Sequence, residues 1–156
     1  DRAKYVFTEE WFDGLFGLRD GEALDEAYWA ELLAVRSEVN KALEAARADK
    51  RIGSSLQAEV TLHAEPALAE KLTRLGEELR FVLITSQVLV NDFDGVQGEA
   101  SDLEGLRVKV SAADGEKCAR CWHVLPDVNT HHEHPGLCSR CIINLPTGQG
   151  EERKYA

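Results

Sequence analysis

Methionine is absent from all 156 residues, and no apolar run approaches the roughly 18 residues of a membrane-spanning helix. The first absence, with the opening Asp1-Arg2-Ala3-Lys4, leads us to expect a piece of a longer polypeptide. The second argues against a membrane partner. Proline and glycine are modest, at 4 and 12 residues, and no low-complexity tract occurs, which argues against wholesale disorder. No signal-peptide pattern opens the chain. Cysteine is missing from residues 1–117 and then occurs four times. What remains is 44% hydrophobic, enough for the core of one ordinary domain with a small satellite.

Base is outnumbered by acid, 18 Lys and Arg against 28 Asp and Glu. The formal net charge is −10, which by itself speaks against nucleic acid. Its distribution qualifies that. Residues 116–156 hold five acids (Glu116, Asp127, Glu133, Glu151, Glu152) and five bases (Lys117, Arg120, Arg140, Arg153, Lys154), so the whole excess of acid lies in residues 1–115.

The four cysteines form two identical spacings, Cys118-Ala119-Arg120-Cys121 and Cys138-Ser139-Arg140-Cys141, with sixteen residues between them. A two-residue spacer lets both thiolates of a tight turn face one point. Two such turns close a tetrahedron around one zinc ion, with no open position for water, so the site should be structural. Disulfides and a redox-active pair are the rival readings. The doubled motif without a thioredoxin-like pattern disfavours both. His123, His131, His132 and His134 are rival fourth ligands. Reduced cysteines at metal spacing point to the cytoplasm. A segment of about 35 residues cannot bury enough apolar surface alone, so zinc should fix its fold.

Elsewhere the pattern is legible in blocks. Asp25 caps a helix over 25–52, with Trp29, Leu32, Leu33, Val39, Leu43 and Ala46 at helical period and Gly53 at its end. Residues 56–64 alternate strictly and read as a strand with one buried face. Pro66 starts a helix with Leu68, Leu72, Leu75 and Leu79 inward. Residues 81–84 fit the end of that helix or a strand. Val88–Val90 and Leu106–Ser111 read as strands, 92–104 as a loop, and Asp114-Gly115 as a turn that leaves the cysteine module either docked or free. Trp11, Trp29, Phe81 and Phe93 are expected in the core.

The predicted class is α+β: a helical segment from a bundle, a small three-stranded sheet of antiparallel type with a helix, and a zinc-ribbon-like module. The divisions are 1–55, 56–115 and 116–156.

Two stretches carry a resemblance. Val39-Asn40-Lys41 followed by Ala48-Asp49-Lys50-Arg51-Ile52-Gly53-Ser54-Ser55-Leu56-Gln57-Ala58 resembles the anticodon-binding region of isoleucyl-tRNA synthetases. Glu116-Lys117-Cys118-Ala119-Arg120-Cys121-Trp122-His123, with Cys138-Ser139-Arg140-Cys141, resembles the C-terminal zinc module of the bacterial enzymes. The resemblance implies a monomeric parent that joins isoleucine to its tRNA with ATP. The family's His-Ile-Gly-His and Lys-Met-Ser-Lys-Ser catalytic motifs, and its editing domain, have no match here. The resemblance therefore implies no aminoacylation by these residues, and a role in holding the anticodon stem and loop beside the remainder of the synthetase.

That implication singles out particular side chains. Arg120 and Arg140 either ease the charge of the thiolates or contact RNA phosphates. Trp122 either packs on the metal turn or stacks on an unstacked base. Lys41, Arg47, Lys50 and Arg51 are either a solvated helix face or an RNA contact. An acidic chain should grip tRNA weakly by itself and add to a larger enzyme through effective concentration. A competing function is a zinc-ribbon module that binds protein through the acid-rich surface of 1–115.

Overall fold

The computed structural model describes residues 5–15, 17–18 and 21–155. Helix α1 spans Glu26–Ala48. Asp25 caps it as expected: its extended backbone lets Oδ1 accept the Tyr28 N–H at 2.9 Å, and Glu26 and Arg47 suit the two ends of the helix dipole. The helix stops earlier than Gly53. Lys50 takes the left-handed conformation (φ 59°), the Lys50 N–H reaches Arg47 O at 3.0 Å, and the Arg51 N–H reaches Ala46 O at 2.9 Å. This is the paired closing pattern that glycine usually supplies.

Four strands form the main sheet: β1 (Ala58–Ala64), β2 (Gln87–Asp92), β3 (Glu99–Ala100) and β4 (Leu106–Ala112), in the order β2-β1-β4-β3. Two expectations are corrected. The sheet is not three-stranded, because Glu99–Ala100, inside the stretch read as a loop, pairs with Val108 and Arg107. Nor is it all antiparallel. β1 pairs with β4 antiparallel, but with β2 in parallel, from Glu59↔Gln87 to Ala64↔Asp92. The connection holds helices α2 (Pro66–Thr73) and α3 (Leu79–Leu83), a crossover long enough to return the chain to the same end of the sheet. Of residues 81–84, left open between helix and strand, 81–83 are thus helical and Ile84 caps the helix in the left-handed conformation.

β1 is central and buried along nearly all of its length, including Thr61 and His63. A half-buried strand was expected. Its flanking strands account for the difference, since His63 lies between Asn91 and Arg107 in the register. α1 packs mainly on β4 and also meets α3. Val35, Val39 and Ala46 of α1, Val60 and Leu62 of β1, and Leu72, Leu79 and Leu83 of the crossover share one core. Trp29 packs against it from a partly buried position, and Phe93 is partly buried. Trp11 does not join the core: it is 97% exposed, on a stretch where a 3₁₀ turn at Val6–Thr8 is the only regular element among the described residues.

Candidate metal centre and its surround

A second, separate core surrounds the cysteines, with Leu125, Val128 and Leu137 packed on them. The chain enters through Gly115, at φ 110°. A side chain there would place its first carbon 2.3 Å from the Leu125 backbone, so glycine is required for the close approach. Strands β5 (Glu116–Lys117) and β6 (Val124–Leu125) then pair, and the loop between them carries the first two cysteines. It closes by the Cys118 N–H to His123 O and the Trp122 N–H to Cys118 O, both 2.9 Å, with Trp122 left-handed at φ 68°. Cys138 caps helix α4 (Ser139–Ile143), which carries Cys141 in its first turn. Asp127 Oδ2 accepts the Ser139 N–H at 2.8 Å, and Asn129 Oδ1 accepts the Gly136 N–H at 2.6 Å. These bonds hold the intervening loop across the two cysteine turns.

The sulfur atoms of Cys118, Cys121, Cys138 and Cys141 lie within 4.8 Å of one another, and Cys121 Sγ is 3.8 Å from Cys138 Sγ. Tetrahedral zinc with bonds of about 2.3 Å requires sulfur separations of about 3.8 Å. The donor set therefore fits one zinc ion. The histidines stay outside this cluster. His123 turns its ring edge-on to Phe81 at 6.0 Å, and His131 Nε2 meets Ser139 Oγ at 2.9 Å. Burial, reinforced by Arg80, pushes the His123 pKa down and keeps its imidazole neutral. Burial also opposes ionisation of the Cys118 thiol, but N–H groups of Cys121, Cys138 and Arg120 outweigh it and bring the thiol down to about 6. Burial lifts Cys138 to about 11 and lifts Cys141 further. Four clustered thiols cannot all ionise without a cation between them, and zinc supplies that charge.

The module is docked on the sheet unit. The Val124 N–H donates to Ser86 Oγ at 2.7 Å, and the same hydroxyl donates to Leu56 O at 2.6 Å. Phe81, expected in the core, is only partly buried and serves as a platform. The guanidinium carbons of Arg80, Arg140 and Arg153 lie 4.8, 4.7 and 4.1 Å from its ring centre. Glu151 accepts from Arg140 Nε at 2.9 Å and from Arg153 Nε at 3.1 Å, and Glu78 accepts the N–H groups of Lys154 and Tyr155 at 2.8 and 2.6 Å. The parts that Phe81, Ser86, Glu78 and Glu151 play in this seam went unrecognised in the sequence. Isolated polar and aromatic residues give no periodic signal, and most of their partners lie far off in the chain.

The seven basic and aromatic candidates separate in space. Arg140 is held by Glu151 and Phe81, and Arg120 Nη1 donates to Cys141 O at 3.0 Å. Lys41 bridges Glu38 and Asp102, each at 2.7 Å. Arg47, Lys50 and Arg51 instead line an open cleft of about 550 Å³, whose lining also includes Val124 of the zinc module. Arg47 pairs with Glu44 at 3.1 Å, and Arg51 Nη1 donates to Val110 O at 2.9 Å. Trp122 is 59% exposed, with the Lys117 ammonium 5.2 Å from its ring centre.

Fold and site together define a zinc-finger module seated on a small α+β unit. Residues 115–143 match the family described as "Zinc finger found in FPG and IleRS". Along its whole length the chain is similar to isoleucine–tRNA ligases. It is 58% identical to that of Erwinia tasmaniensis over 99% of the chain, and 57% identical to that of Cronobacter sakazakii over all of it. The ligase of Photorhabdus laumondii is 58% identical over 99% of the chain. The chain spans about 17% of the length of these relatives and is homologous to that segment of them.

Proposed function

We propose that this chain is the part of an isoleucine–tRNA ligase that holds the anticodon arm of tRNA, in a parent enzyme that attaches isoleucine to that tRNA with ATP. The observation that carries the reading is the cleft lined by Arg47, Lys50 and Arg51 together with Val124 of the zinc finger. Trp122 stands exposed on the same β5–β6 loop. A basic cleft, with an exposed aromatic ring two residues from its Val124 lining, suits a phosphate backbone with an unstacked base. On this reading zinc acts at a distance from the RNA. It sets the β5–β6 hairpin, whose loop carries Trp122 and whose second strand brings Val124 to the cleft. Arg120 and Arg140 serve the module's own structure. The cytoplasm is the proposed compartment.

Titration of isoleucine tRNA against the full ligase, with and without residues 116–156, tests this. Removal should weaken binding. Neutralising Arg47, Lys50 or Arg51 should make the salt dependence shallower, by about 0.7–0.9 in slope for each phosphate no longer neutralised. Binding unaffected by truncation and by anticodon changes would point instead to a protein-binding module using the acid-rich body.

A further inference from the structure

We infer that Cys121 is the modification site at which electrophiles and hydroperoxides open the zinc finger. The inference rests on the four-cysteine zinc site and concerns how that site fails. Cys118 and Cys138 are fully covered and Cys141 is 3% exposed, whereas Cys121 is partly exposed. Cys121 borders an open polar cleft of about 690 Å³, beside Arg120 and Asn144. Cys141 borders the same cleft but is almost entirely covered.

Hydrogen bonding separates Cys121 from Cys118, whose Sγ accepts the Cys138 N–H at 3.4 Å. A donor draws electron density from a thiolate and blunts its attack. The partly exposed sulfur, which borders open space, is the reactive member of the set.

The chemistry closes with one equivalent of hydroperoxide. A Cys121 Sγ lone pair attacks a peroxide oxygen; the S–O bond forms, the O–O bond breaks and hydroxide (or alkoxide) leaves. Cys138 Sγ, 3.8 Å away, then attacks the Cys121 sulfur. The S–S bond forms, the S–O bond breaks and a second hydroxide leaves. Two thiolates have lost two electrons, the hydroperoxide has gained them, and zinc keeps only Cys118 and Cys141 and departs.

The test begins with elemental analysis of the purified protein, where one zinc per chain upholds the metal site and its absence overturns that site on separate grounds. Substoichiometric N-ethylmaleimide followed by peptide mass mapping should then label Cys121 at least about tenfold ahead of the other three cysteines. Hydrogen peroxide should produce a Cys121–Cys138 disulfide in step with zinc release to a chromogenic chelator. Even labelling, first labelling of Cys118, Cys138 or Cys141, or a first disulfide that omits Cys121 would overturn the inference.

Discussion

Trp122 shows how much one residue's place decides. It directly follows a zinc ligand, and in so small a module it had either to pack on the metal turn or to face outward. The left-handed backbone at Trp122 turns the ring away from the second core, leaving it 59% exposed under Lys117. Trp122→Ala should therefore leave zinc content unchanged and weaken tRNA binding by about 1–3 kcal/mol, the usual worth of one stacked base. Fluorescence titration beside metal analysis reads both. The cysteines carry their own residue-scale prediction. Near pH 7 the metal-free Cys138 and Cys141 thiols hold their protons, because burial raises them, so zinc binding must expel at least those protons. Affinity should rise with pH and fall in acid, and proton release in weakly buffered solution measures it.

Among the elements, the end of α1 and the tail strap behave differently. Lys50 holds a left-handed position that costs a side chain about 1 kcal/mol, so Lys50→Gly should stabilise the fold by roughly that amount while Lys50→Ala should not. If Lys50 also contacts RNA, both variants lose tRNA affinity equally, and urea unfolding beside binding separates charge from conformation. In the strap, burial alone would raise the Glu151 carboxyl, but hydrogen bonds from Arg140 and Arg153 outweigh it and hold it below the ordinary glutamate range. A depressed carboxylate contributes stability above its unfolded value of about 4.3 and loses that contribution as pH falls through the folded value. Residues 151–155 should loosen below that point, and Glu151→Gln should loosen them at neutral pH. Faster tryptic cleavage after Arg153 and Lys154 reports it.

At the level of the whole molecule two cores meet at a polar seam. The larger is built on aliphatic packing, with Leu62 fully buried at its centre, and Leu62→Ala should cost about 2–5 kcal/mol in denaturant unfolding. The smaller is built on four sulfurs and a few side chains. Chelation should disorder residues 116–145 and leave the larger core folded, which amide exchange can follow segment by segment. Local pattern was enough for the parts with a period or a spacing: α1 and its Asp25 cap, the alternating β1, and the doubled cysteine turns that call for zinc. Chain position alone could not say that β2 runs parallel to β1, that Glu99–Ala100 closes the sheet, or that Trp11 lies outside. Those depend on which distant segments meet. The docking was hidden for the same reason. Ser86 meets Val124, Phe81 gathers three arginines and Glu78 holds the tail, and most of these pairings join residues dozens of positions apart. Which cations remain at the cleft for a partner was therefore a matter for the folded chain, because only folding shows which are already paired within it.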